Sequence, residues 1–138
     1  DHINPVVWGT KVTTNSDVAK ELRLTHGQHI RYYTPVGLAS AIEQNDQSSI
    51  KNILSNAVAE LKKIDAIGLS CTHYPLIKPM IQEYFPSVTI YDPSSAVASH
   101  VARSLNLNIR AATKPSLVEF NSSASVLRLE ELAKQLGL

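Results

Sequence analysis

DAIGLSCTHYPLIKPMIQEYF, residues 65–85, decides the fold. Its first six residues are a short apolar run closed by a serine, which reads as a buried strand. Cys71, Thr72 and His73 follow, and a helix is expected from Pro75 or just after it. A buried strand that passes through a short polar link into a helix is the repeating step of a parallel α/β sheet.

The same step recurs on both sides. Upstream, NPVVWG reads as a strand that breaks at Gly9, followed by the hydroxyls and amide of Thr10, Thr13, Thr14, Asn15 and Ser16. Asn15 or Ser16 is a good N-cap for a helix over residues 17–24. HIRYYT is a β-branched and aromatic run, hence a second strand. PVGLASAIEQ reads as a short helix with Pro35 near its first position. Ile50, Ile53, Leu54, Ala57, Val58 and Leu61 then keep helical spacing, with Lys62 and Lys63 expected in the last turn. Downstream, SVTIYD is a strand, SSAVASHVARSL a helix, residues 117–120 a strand, and residues 125–136 a closing helix. The alternation predicts an open, mostly parallel α/β sheet flanked by helices. The polar stretch over 106–116 is the best candidate for a linker or lobe boundary.

Bulk composition narrows the function. The chain has 138 residues, 43% of them hydrophobic, enough for one domain with a real core. Lysine and arginine number 13 against 12 acidic residues, so no polyanion signature is present and nucleic acid is not an expected partner. A single cysteine forms no internal disulfide, makes a structural zinc site improbable, and fits a reducing, cytoplasmic setting. No apolar run is long enough to cross a membrane, and no signal peptide is visible. The chain opens Asp1-His2-Ile3-Asn4-Pro5 without methionine, as a processed chain or a piece of a longer one would.

In open α/β sheets, ligands bind beyond the carboxyl ends of the strands. The strand at residues 65–70 delivers Cys71 and Thr72 to that edge. A thiol near a helix N-terminus and an imidazole can have its pKa lowered from about 8.5. The plain alternative is that a lone cysteine beside a strand packs as a small hydrophobe, with His73 bonded to backbone. Gly9, Thr10 and Thr13 form a second strand-end group able to donate to a small anion, or simply a capped turn. Asp92, Ser94 and Ser95 form a third, equally satisfied as an Asp-Pro turn and N-cap.

SCTHYPLIKPMI resembles the second cysteine motif of the glutamate racemases and their aspartate/glutamate racemase relatives, where a strand runs into Gly-Cys-Thr-His-Tyr-Pro-Leu. GTKVTTNS is similar to the family's Gly-Thr-x-x-Thr segment, YDPSSAVASHVA to its strand and Asp-Ser turn, and VEFNSSASVLRLEELAKQLG to its closing strand and helix. The resemblance covers nearly the whole chain. It implies interconversion of D- and L-glutamate, or of aspartate, without cofactor or metal, in the supply of D-glutamate for peptidoglycan. Two cysteines work on opposite faces of the substrate α-carbon.

Carried over by motif, Cys71 is one acid/base thiol and His73 assists its proton transfers. Thr10, Thr13 and Thr72 bind substrate, and Glu43, near the place of a family glutamate, joins them. Ser70 replaces the usual glycine before the cysteine, and Thr34 stands where relatives often place another cysteine. The family's first lobe, with its Asp-Ser-Gly start and its Cys-Asn-Thr segment, has no counterpart here. The resemblance therefore implies one lobe of a two-lobe fold over residues 1–97. Residues 98–138 would be a closing helix-strand-helix segment that packs on the other lobe. Apolar surface left open by that lobe's absence favours a homodimer. Two competing readings remain: a non-catalytic lobe binding a small acidic amino acid, and a cysteine hydrolase using Cys71 and His73.

Overall fold

The computed structural model describes residues 2–27, 30–106, 119, 121, 123 and 126–135. Four short strands form one sheet: β1 (Pro5–Trp8), β2 (Arg31–Tyr33), β3 (Ala66–Leu69) and β4 (Thr89–Tyr91). Their order is β2-β1-β3-β4 and every pair is parallel, as the alternation of strands and helices implies. Val6 stands opposite both Arg31 and Ile67, and Ile67 opposite Ile90. The chain leaves β1 for β2 on one side and returns to β3 on the other. The β1/β3 boundary is therefore where the connections diverge, the place where such sheets open a crevice at their carboxyl ends.

Seven α-helices are described: α1 (Lys11–Thr14), α2 (Asp17–His26), α3 (Leu38–Glu43), α4 (Gln47–Glu60), α5 (Lys78–Tyr84), α6 (Ser94–Ser104) and α7 (Val126–Gln135). In α4 the buried residues are Ile50, Leu54 and Ala57, one stripe at helical spacing. That stripe joins Leu38 and Ile42 of α3 and Ile81 of α5, against Val6, Trp8, Ile67, Leu69 and Ile90 of the sheet. Trp8 sits at the centre with no exposed surface, its ring edge-on to Tyr74 and Phe85.

Three local expectations are corrected. Pro35 does not open α3: it lies in a turn in which Leu38 N–H donates to its carbonyl, and Gly37, at φ 83°, is the N-cap. A left-handed cap of that kind suits glycine, so the helix starts after it. Lys62 and Lys63 do not lie in the last turn of α4, which ends at Glu60; Leu61 caps it and Lys63 takes φ 59°. The helix expected from Pro75 is a 3₁₀ turn over Tyr74–Ile77, and α5 proper begins at Lys78. The dipole of a long helix therefore does not start beside Cys71.

The strand expected over 117–120 lies, apart from Glu119, outside the described residues, as does all but Asn106 of the polar stretch. By internal contacts the chain divides into two compact units, Asp1–Val97 and Ala98–Leu138. The first holds the whole sheet and the core described above; in the second, Ala102 and Ala133 are buried. Among the described residues no helix is long and apolar enough to cross a membrane.

Candidate active site

The carboxyl edge of the sheet is built from two neighbouring strand ends. β3 carries on past Leu69 as ladder, with Ser70 N–H donating to Trp8 O at 2.8 Å, and then releases the chain at Cys71. A tight turn follows, closed by Tyr74 N–H to Cys71 O at 3.2 Å. That turn folds His73 back over the cysteine: Cys71 Sγ lies 3.6 Å from His73 Nδ1. Both residues are half-buried, close enough to the core to be held and open enough to be reached.

The other imidazole nitrogen meets Glu43. His73 Nε2 is 2.7 Å from Glu43 Oε1, because α3 packs against the 3₁₀ turn and ends beside it. An ionised carboxylate only accepts hydrogen bonds, so Nε2 carries the proton in the neutral ring and Nδ1 presents its lone pair to the thiol. The three groups form a line, thiol to imidazole to carboxylate. Such a line can take a proton from sulfur and stabilise the imidazolium that results.

Tyr74 is the partner that sequence reasoning missed. It is 1% exposed, and its backbone N–H holds the Cys71 carbonyl in the turn. Burial, reinforced by the negative charge that the neighbouring Cys71 can carry, pushes its pKa well above the ordinary tyrosine range. An aromatic residue directly after Cys-Thr-His was visible in the sequence, but its burial against Trp8 depends on the turn.

The adjacent loop, after β1, carries the threonines. Gly9 leaves room for this loop to fold close: a Cβ on it would stand 3.1 Å from Thr14 Cγ2 and 3.4 Å from Thr13 Cβ, so the Thr14 methyl would have to give way slightly. Thr10 caps α1, its Oγ1 accepting from Thr13 N–H at 3.3 Å and lying 3.0 Å from Thr13 Oγ1. One hydroxyl of the pair donates to the other, which leaves one O–H proton for a bound group. Thr14 Oγ1 is 3.0 Å from Thr34 Oγ1, tying this loop to the end of β2. Ser16 caps α2, accepting from Ala19 N–H at 3.1 Å. Thr72 is exposed on the turn after β3.

The third strand end serves local structure. Asp92 Oδ1 accepts from Ser94 N–H at 2.9 Å and from Ser94 Oγ at 2.6 Å. These bonds, the serine hydroxyl first, lower its pKa below the usual carboxylate value. At the opposite, amino edge, a groove of about 340 Å³ is lined by Leu61, Lys62, Lys63, Phe85 and Val88 among others. It is lined by no thiol, histidine or carboxylate.

No protein-family model matches the chain. Individual proteins do. A glutamate racemase of Streptococcus thermophilus is 30% identical over 138 residues, 94% of this chain and 51% of that protein. A glutamate racemase of Clostridium perfringens is 33% identical over 142 residues, 95% of this chain and 54% of that protein. This chain is related to the glutamate racemases. The resemblance first carried by the Cys71 motif thus extends along the sequence. A further glutamate racemase, from Pseudomonas syringae, reaches 39% identity over 85 residues, 58% of this chain and 31% of that protein. The chain spans about half the length of the first two of these relatives.

Proposed function

We propose that this chain is a portion of a cofactor-independent amino-acid racemase acting on glutamate, with Cys71 as one of its two acid/base thiols. The observation that carries the reading is the Cys71–His73–Glu43 line at the sheet's carboxyl edge, on the strand beside the β1/β3 boundary. The names of the relatives supply the substrate. In the forward step the Cys71 thiolate takes the α-proton from one face of the bound amino acid. The electron pair left on carbon delocalises into the α-carboxylate, and a proton arrives from a second thiol on the other face.

Inversion needs a base on each face, each able to give and take a proton near working pH. These 138 residues hold one cysteine, so the second thiol comes from further sequence or from another chain. His73 exchanges the proton with Cys71. Glu43 holds His73 and acts through it, a role different from the substrate contact expected from sequence. Thr10, Thr13 and Thr72 receive the substrate's carboxylates and amino group.

The test is exchange of the α-hydrogen of D- and L-glutamate in deuterated water, followed by proton NMR, in the protein that holds both thiols. Exchange that disappears with Cys71→Ser supports the reading. No exchange with either enantiomer rejects glutamate, and aspartate is tried next. The single cysteine also favours a second reading, a lobe that binds an acidic amino acid without chemistry. Calorimetric binding of glutamate in a protein that gives no exchange would select it.

A further inference from the structure

We propose that the groove at the amino edge of the sheet is a second small-molecule site, which takes ligands that join an aromatic ring to an anionic group. It stands apart from the Cys71 edge and does not rest on the racemase reading.

The groove lies where the segments leaving α4 and α5 turn into β3 and β4. Its volume of about 340 Å³ falls within the range of small-molecule sites. The apolar lining includes buried Leu61, Phe85 and Val88 and half-buried Tyr84. Hydrogen bonds hold that lining in shape. Gln82 Nε2 donates to Phe85 O at 2.9 Å and to Val88 O at 3.1 Å, bracing one wall. Thr89 N–H donates to Asp65 O at 3.1 Å, tying the two incoming segments together. A wall already fixed in this way loses little freedom when a ligand binds.

Charge selects the occupant. Lys62 and Lys63 line the groove, both exposed, and no acidic residue lines it. Neither lysine makes an ion pair among the described residues. Asp65, two positions on, spends its carboxylate on Ile3 and Asn4 N–H. Lys63 also takes φ 59°, a left-handed backbone that disfavours a residue with a Cβ. The other described non-glycine residues with positive φ are Asn45 and Asn106, the type that tolerates it best. A lysine kept at such a position is explained by what its ammonium group does rather than by its backbone. Two ammonium groups beside an apolar, aromatic wall match an anion carried on a flat ring.

The experiment titrates this chain with 8-anilinonaphthalene-1-sulfonate and follows backbone amide shifts by NMR. Shifts centred on residues 61–64 and 84–88 are expected. Shifts centred instead on α2 or α6, whose valines and leucines are also exposed, overturn the proposal. N-phenyl-1-naphthylamine has the same rings without the sulfonate, and it is expected to bind the groove more weakly. Equal affinity for the two probes overturns the proposal, and this arm needs no variant.

Lys62→Gln with Lys63→Gly removes both charges, and glycine suits the left-handed backbone. Sulfonate affinity is expected to fall roughly fivefold, the size of two exposed charge contacts. The thermal midpoint is expected to hold or rise. Lysines can instead serve the carbonyls at a helix C-terminus. In that case the midpoint falls while sulfonate affinity stays, and the proposal is overturned.

Discussion

His73 Nε2 lies 2.7 Å from Glu43 Oε1, a contact between residues thirty positions apart in sequence. The geometry makes Glu43 an orienting group: it fixes the tautomer of the ring whose other nitrogen faces Cys71. Glu43→Gln keeps an oxygen that can accept from Nε2 but removes the charge that stabilises an imidazolium. If the racemase reading holds, glutamate exchange in the protein that holds both thiols is expected to show a fall in kcat on the order of tenfold or more, with KM little changed. Steady-state kinetics on both enantiomers check this. A raised KM with unchanged kcat would instead return Glu43 to the substrate-binding role that its sequence position implied.

The parallel sheet was legible because each strand is a short apolar run and each link to the next is long enough for a helix. The Cys71 edge was legible for the same reason: a buried strand that ends in Ser70-Cys71-Thr72 has to present those residues at its carboxyl end. What the pattern could not carry was the meeting of side chains. Whether Cys71 and His73 face each other depends on the turn closed by Tyr74 N–H, and whether Glu43 reaches His73 depends on how α3 packs on that turn. Element boundaries failed where the backbone takes a positive φ, at Gly37 before α3 and at Lys63 after α4. Helical spacing continues through Leu61, but the chain conformation does not.

Leu54 has no exposed surface and lies in the middle of the buried stripe of α4. Truncating it to alanine leaves a cavity that the sheet and α3 cannot fill without moving. Leu54→Ala is expected to cost about 2–5 kcal/mol. Trp8 is the only tryptophan and is fully buried in the same core, so its fluorescence follows unfolding of the first unit in urea. A midpoint equal to that of the parent chain would contradict the packing described.

Thr34 links the end of β2 to the loop that carries Thr10 and Thr13, through its contact with Thr14. Thr34→Val keeps the branched shape and removes the hydroxyl. A stability loss of about 1 kcal/mol is expected from the lost hydrogen bond. The same change loosens the loop, so glutamate affinity falls as well if Thr10 and Thr13 hold the substrate. Urea unfolding and calorimetry read the two effects separately, and an effect on neither would remove Thr34 from the account.

Tyr33 gives a test of sign at alkaline pH. Burial, with the Glu60 carboxylate and its hydrogen bond adding to it, raises its pKa from 10.0 to about 12. A raised phenol pKa means that the folded state holds the proton more tightly than the unfolded state does. The resulting stability is fully present below pH 10 and is lost as pH rises through about 12. Tyr33→Phe has no such proton to lose. Thermal midpoints of the parent chain and of the variant, measured from neutral pH to about 12, are expected to draw together over that last interval. The contribution of Tyr74 is common to both chains and cancels in the difference. Parallel curves would mean that Tyr33 is not held between the core and Glu60 as described.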